Sequence, residues 1–515
     1  MKKSFSSWLL VAGVCVALVP SAVRAESEVE QLQKQLLEMK AAFERAQQAQ
    51  REQIEGLQRQ IESLQRGSIA PVVAATNAAS VDSVRPATTA PWRPSDPIAM
   101  RRGNAYVDVG VVATFAAGGS TASDIEALQP GGHDPNQRGF SVQGVELSLT
   151  GAVDPYFRGN VDVVFGMDPD GESFLELEEA WAETVSLPGR LQIRGGQFMT
   201  DFGRVNTQHP HAWGFVDAPL VNARFLGADG LRNPGARISW LAPTPFYSEL
   251  FLAVQNSQGE TAAGFRSSGH SHGGEDEAEV PFGYRHADND RGVRNMGDLL
   301  FTPRWASSFE LTENQTLLAG VSGAFGPNSS GGGGDTRTEI YGADVTWKWK
   351  SPNHQRGFPF VSFQSEVMLR KYDLGEFDWS GEPAGEPIVF ESDGVTPAVL
   401  AAERITDWGY YNQLLWGFTP GWVAGVRWDY VTGESAAYES AGLIWDDANG
   451  NQTALGRDPQ RDQRWRLSPN LTWYPSEFSK VRLQYNYDDR RDIGVDHSVW
   501  LQFEFLLGAH AAHKF

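Results

Sequence analysis

The sequence predicts an all-β chain, a 16-stranded antiparallel transmembrane β-barrel with an N-terminal α-helical coiled coil. Three observations carry that expectation. Apolar and polar residues alternate with period 2 through many short runs, the strand signature. The links between runs are alternately long and short, and the apolar faces end in aromatic residues. A chain of 515 residues asks for several domains or one large closed architecture. Mean hydropathy is −0.36, and no apolar run after the N-terminus is long enough for a spanning helix, which excludes a helix-bundle transporter. A formal charge of −21 argues against nucleic acid as a partner, because phosphate binding needs clustered Lys and Arg.

Residues 1–25 read as a signal peptide: Lys2 and Lys3 form a basic start, Trp8 to Val19 an apolar stretch, and Ala25 a small residue at the cleavage point. The only cysteine, Cys15, lies inside it, and Val14 before it is too large for a lipoprotein signal. The mature chain is thus expected to carry no disulfide, and export without one fits a Gram-negative envelope protein.

Residues 26–66 read as a coiled coil. Seam residues recur at Val29, Leu32, Leu36, Met39, Phe43 and Ala46, then Ile54, Leu57, Ile61 and Leu64, with a stutter at Ala46-Gln50-Ile54. The segment would form a rod of roughly 60 Å. One amphipathic helix has no core of its own, so an oligomer is expected, a homotrimer above all; Gln50 and Gln53 at or beside the seam leave two strands against three open. Residues 67–100, rich in Ala, Val, Ser, Thr and Pro, read as a flexible linker.

Residues 101–515 read as the barrel. Strands are expected to start near 104, 139, 156, 173, 190, 235, 246, 298, 314, 337, 357, 404, 421, 463, 479 and 497. In one of them Val499, Leu501, Phe503 and Phe505 oppose Ser498, Gln502 and Glu504; in another Trp422, Val426, Trp428 and Tyr430 oppose Arg427 and Asp429. A soluble sandwich has no reason to sort its links by end. A transmembrane barrel does, with short periplasmic turns and long outer loops. An even strand number puts both barrel ends, and the coiled coil, on the periplasmic side. Trp347, Trp349, Trp422, Trp428, Trp465, Trp473, Tyr485 and Tyr487 would form the interfacial girdles against lipid and lipopolysaccharide.

The terminal Phe515, following an amphipathic strand, resembles the assembly signal by which barrel-assembly machinery takes up outer-membrane proteins. The order of signal peptide, coiled coil, linker and barrel resembles the phosphate-selective porin O and P superfamily. A narrower resemblance, to proteins labelled zinc-regulated TonB-dependent outer-membrane receptors, rests on Gly196-Gln197-Phe198, Phe202-Gly203-Arg204-Val205-Asn206, His209-Pro210-His211, Phe225-Leu226-Gly227, Gly230-Leu231-Arg232-Asn233-Pro234-Gly235 and the Gly508-Ala509-His510-Ala511-Ala512-His513 tail. TonB-dependent receptors carry an N-terminal plug, and here a coiled coil and linker stand in that place, so passive passage is expected.

Three groups of residues are candidates for function. The long link 199–234 is expected to fold into the lumen, as in porins of this type, with Asp201, Arg204, Asp217, Arg224, Asp229 and Arg232 at a constriction whose opposed charges orient polar solutes. Alternation puts Arg158, Asp162, Arg194, Arg427, Asp429, Arg464, Arg466, Arg482 and Glu504 on the lumen wall, together with Glu146 and Asp488. His209, His211, His270, His272 and His286 are spaced for a divalent ion such as zinc, the one cofactor the sequence suggests. No nucleophile motif stands out, so no enzyme is expected. The expected function is passive diffusion of small hydrophilic solutes, anions among them. The alternatives are a zinc-uptake receptor, and a structural tether between outer membrane and cell wall.

Overall fold

The computed structural model describes residues 98–508, apart from 103–104, 153, 169–170, 260, 267–280, 288–291, 332–334, 383–385 and 448–450. The expected signal peptide and coiled coil, residues 67–97 of the expected linker, His270, His272 and Phe515 lie outside the described residues, while 98–100, expected as the end of the linker, are strand.

Sixteen long strands form one antiparallel sheet that closes on itself. They are β1 (Ala105–Ser120), β2 (Gly139–Ala152), β3 (Phe157–Met167), β4 (Ser173–Thr184), β5 (Leu191–Met199), β6 (Arg232–Leu241), β7 (Tyr247–Asn256) and β8 (Leu299–Thr312). The second half comprises β9 (Gln315–Pro327), β10 (Arg337–Gln355), β11 (Phe358–Leu374), β12 (Glu403–Thr419), β13 (Trp422–Gly433), β14 (Arg464–Ser476), β15 (Ser479–Arg490) and β16 (Gly494–Gly508). Each pairs with its sequence neighbour, and β1 pairs with β16 from Gly110↔Gly508 to Ser120↔Ser498, which closes the barrel. A short lead-in strand, Ile98–Arg102, folds back on the start of β1. Every strand begins within three residues of its expected start, because period-2 alternation and Gly/Pro turns are local signals. The largest differences are at β6, which starts at Arg232, and β16, which starts at Gly494.

Burial is inverted relative to a water-soluble protein. Along β16, Val499, Leu501 and Phe503 are exposed, while Ser498, Gln502 and Glu504 are buried. The same holds for Trp428 against Arg427 and Asp429 on β13, and for Leu483 and Tyr485 against Arg482 and Gln484 on β15. Such a sheet meets hydrocarbon outside and polar groups inside, and its closure leaves no edge amide unpaired, as a bilayer requires. The outer aromatics stack across strands: Trp428 on Trp465 at 4.7 Å, Trp465 on Tyr487 at 5.0 Å and Trp422 on Trp473 at 6.0 Å. This is a transmembrane barrel of the outer-membrane kind.

Turns on one side are tight, such as 420–421 and 477–478, and links on the other are long. The link 200–231 turns inward and carries helix α1 (Leu220–Leu226). Leu220, Val221, Phe225 and Leu226 of α1 pack with Phe202, Val205 and Leu231 against Ile340, Met368, Tyr411 and Val431 of the wall. Burying each large apolar side chain stabilises the inward loop by about 1.5–3 kcal/mol. Gly203 is left-handed, with φ +59°, and a Cβ there would strike the Glu366 carboxylate. That carboxylate accepts from Val205 N–H at 2.8 Å and anchors the start of the loop. A second apolar cluster, around Trp379, Val389, Tyr438 and Trp445, fastens the outer loops together.

Candidate functional site: the lumen and its inward loop

The inward loop meets two differently charged sectors of the wall. On β13–β15 the strands present arginines. Arg482 donates to the carbonyls of Trp213 and Phe215 at 3.0 and 2.9 Å. Arg427 donates to the Asp217 carbonyl at 2.8 Å and to its carboxylate at 2.6 Å. Arg466 reaches the other Asp217 oxygen at 3.0 Å, and Gln484 and Asn486 donate to the same carboxylate at 2.9 and 2.7 Å. Burial alone would raise the Asp217 pKa, but Arg427 and Arg466 outweigh it and hold the group below its ordinary range. Asp217 is fully buried. Arg464 pairs with Asp488 at 2.7 Å, Asp429 with Arg427 at 2.7 Å and Glu504 with Lys480 at 2.8 Å. Arg427, Arg466 and Arg482, expected to face water, are therefore covered by the inward loop, whereas Arg464 donates to the Leu128 carbonyl of the link 121–138. The physical reason is that arginine forks are the right donors for loop carbonyls that would otherwise be buried without partners.

On β2–β4 the wall presents carboxylates. Glu146, Asp162, Glu178 and Glu179 converge on His209 and His211 of the inward loop. His209 Nδ1 lies 2.9 Å from Glu178 and 3.4 Å from Glu146, and its Nε2 lies 3.6 Å from Glu179 and 3.7 Å from Asp162. His211 Nδ1 lies 3.1 Å from Glu146, and the two rings stack at 5.6 Å. Burial would depress the His209 pKa, yet Glu178 and Glu146 beside it hold it well above the ordinary histidine value. On the far side of Glu178, His133 from the link 121–138 faces Glu178 at 4.0 Å and Asp229 at 3.8 Å. Next to it Asp134 accepts from Gly131 N–H and Ala218 N–H. Burial, and then the charge of Asp217, push Asp134 up to about 7.

The remaining expected site residues fall in several places. Asp201 pairs with Arg237 at 3.1 Å, and Arg204 is half-buried in the loop. Arg232 corrects the expectation of a loop residue: it opens β6 and is buried against Glu176 and Glu178. Arg158 and Arg194 share Glu183, and Arg194 also lies 4.0 Å over Trp181. His286 lies with aromatics, its ring 4.8 Å from Trp379 and 5.6 Å from Phe377, rather than with carboxylates.

His133, Glu178 and Glu179 were missed by sequence reasoning. Simple alternation would send one of two adjacent residues to lipid. A β-bulge, where Asp162 pairs with Glu179 and Val163 with Leu177, turns both Glu178 and Glu179 inward. The acidic Glu178-Glu179 pair inside an otherwise alternating strand was the available signal.

Above α1, on the long-loop side, lies a cavity of about 1050 Å³. Its lining includes Arg224, Arg285, Arg370, Arg457, Arg464 and Arg490, against Glu126, Asp462 and Asp492. Arg224 donates to the Asp462 carbonyl at 2.8 Å. Deeper, two cavities of about 30 and 20 Å³ both touch His133, Glu178 and Pro210. At that depth the open space is close to the size of a water molecule.

No known family model matches the chain. An uncharacterized protein of Aquifex aeolicus (strain VF5) is 29% identical over 440 residues, covering 79% of this chain and 80% of its own length. Among solved structures, the outer membrane channel DcaP of Acinetobacter baumannii aligns with a TM-score of 0.46 at 13% identity, over 79% of this chain and 99% of its own. An anion-selective porin from Comamonas acidovorans aligns at 0.44 and 8% identity, over 78% and 100%. OmpF of Salmonella typhi aligns at 0.41 and 11% identity, over 80% and 100%.

Proposed function

We propose that this protein is an outer-membrane porin that passes small hydrophilic solutes down their gradients, with the inward loop setting the size limit. The observation that carries the reading is the closed 16-strand barrel whose polar inner wall opens into a vestibule of about 1050 Å³. A purely structural tether would need no hydrated vestibule inside its barrel. Anions are the favoured solutes. Of the arginines lining the vestibule, Arg285, Arg370, Arg457, Arg464 and Arg490 each have a carboxylate within 4.0 Å, whereas Arg224 donates to the Asp462 carbonyl and is the cation placed to favour negative solutes. The resemblance of the chain's layout to phosphate-selective porins points the same way. The functional unit in this reading is a homotrimer, joined through the coiled coil that the sequence of residues 26–66 predicts, with lipid and lipopolysaccharide against the exposed apolar band.

Planar-bilayer recording tests the reading. Stable ohmic openings, with a reversal potential in a salt gradient that favours anions, are expected. A protein that folds and inserts yet never conducts would remove the porin assignment, and cation preference would remove the anion assignment alone.

A further inference from the structure

We propose that His209, Asp162, Glu179 and Glu146 form a binding site for a divalent transition-metal ion inside the barrel. The inference goes beyond the porin reading and does not rest on conduction.

The geometry starts from His209. Its Nδ1 lies 2.9 Å from Glu178 Oε2, so a proton on Nδ1 is donated to that carboxylate and Nε2 is the nitrogen that a metal ion would take once its own proton is displaced. Histidines that bind metals are oriented by such a carboxylate behind the ring. Nε2 then faces Asp162 Oδ2 at 3.7 Å and Glu179 Oε2 at 3.6 Å. Ligand atoms about 2.1 Å from a common tetrahedral ion are on the order of 3.4 Å apart. The separations of Asp162 and Glu179 from Nε2 are within about 0.3 Å of that spacing. One ligand atom from each of Glu146, Asp162 and His209 lies within 4.8 Å of the other two, which puts Glu146 beside the pair.

Two further observations point to a cation. Glu146 is 6% exposed, and its Oε1 has no hydrogen-bond partner, although Oε2 meets both histidines. A buried carboxylate oxygen without a partner is costly, and a cation would satisfy it. Four carboxylates also surround two imidazoles, so even full protonation of both rings leaves negative charge in surplus. Arg232 sits on the far side, beside Glu178 at 3.5 Å, and leaves the Asp162–Glu179 face to other cations.

The supports are built for precision. Ser148 Oγ donates to Asp162, and Met199 N–H donates to Glu179 at 2.8 Å. The ligands come from three adjacent wall strands and the inward loop, so an ion would lock the loop to the wall. One imidazole with carboxylates suits ions of the Zn²⁺, Fe²⁺ or Mn²⁺ class. On binding, the ion takes the place of any proton on Nε2, which leaves to solvent.

The test is calorimetric titration of zinc chloride into the full chain in detergent micelles after chelator treatment. Uptake of one ion per chain is expected. Asp162→Asn and Glu179→Gln should each weaken it at least tenfold, and Glu178→Gln, which removes only the carboxylate behind the ring, by about 10–100-fold. Heat-modifiable gel mobility checks that each variant is folded; should Asp162→Asn fail to fold, Glu178→Gln keeps the proposal open to refutation. Three results would overturn it: no saturable uptake, equal uptake by the folded variants, or uptake abolished only by the His270→Ala, His272→Ala pair. Bilayer conductance is read separately, so a conducting barrel that takes up no metal ends this inference and leaves the porin reading standing.

Discussion

On the inner wall, β13–β15 present Arg427, Arg466 and Arg482, while β2–β4 present Glu146, Asp162, Glu178 and Glu179. One loop crosses both sectors and meets each with complementary groups, a carboxylate and carbonyls on one side and two imidazoles on the other. The outcomes differ. In the arginine sector every guanidinium has a carbonyl or carboxylate within about hydrogen-bond reach, and Asp217 alone receives four side-chain donors. In the carboxylate sector the donors run short, and Glu146 keeps an oxygen without a hydrogen bond. The first sector is a clasp. The second has capacity left over for a cation. A charged lumen wall thus does two jobs, and the ratio of donors to acceptors separates them.

The sharpest way to break this contrast is to open the clasp. Asp217→Ala leaves Arg427 and Arg466 buried without their shared carboxylate, which costs about 3–5 kcal/mol. Urea unfolding in micelles should show the loss, and single-channel conductance should rise as the loop leaves the wall. Unchanged conductance would mean that the loop does not set the pore size. A change on the outer face should behave otherwise. Leu501→Arg, on the exposed face of β16, should destabilise the barrel by about 2–4 kcal/mol if it lies near the bilayer midplane, with no change in ion selectivity.

Smaller effects sharpen the comparison. Arg224→Ala removes a vestibule cation whose hydrogen bond to the Asp462 carbonyl is worth about 1.5–3 kcal/mol at most. Its main effect should appear in the reversal potential, as weaker anion preference. A shift toward anions would contradict the proposed role of the vestibule.

The pH dependence separates two carboxylates of the inward-facing loops. Asp217 titrates below its ordinary value, so its contribution is complete at neutral pH and is lost only as pH falls through that lowered value. Asp134 is pushed up to about 7, so the folded state binds its proton more tightly than the unfolded chain does. Stability should therefore fall as pH rises from about 4 to about 7 through this group. Asp134→Asn should abolish that part of the slope in unfolding experiments between pH 5 and 8, and Asp217→Asn should only reduce it, because burial still raises Asp134 after the Asp217 charge is gone.

The strands of this barrel were legible because their signals are local. Alternation in Val499–Leu507 or Trp422–Tyr430 identifies two faces, and turns such as Thr419-Pro420 mark the ends. The inward course of the link 200–231 was also expected, as were His209 and His211 near one another. Alternation says which side of a strand a residue takes, and nothing about what covers that side. Arg427, Arg466 and Arg482 were thus correctly placed inside, but their burial depended on a loop more than two hundred residues away in sequence. The bulge at Glu178-Glu179 breaks the period itself, so only strand pairing reveals both carboxylates as inward. His133 enters the lumen from a separate link, and no spacing in the sequence connects it to Glu178 or Asp229. By itself the sequence determined the strand number, the two-solvent character of the wall and the sorting of turns from loops, because each depends on neighbours a few residues apart. Only the tertiary structure decided which charges are neutralised and which remain in surplus, because that is a matter of distance across the lumen.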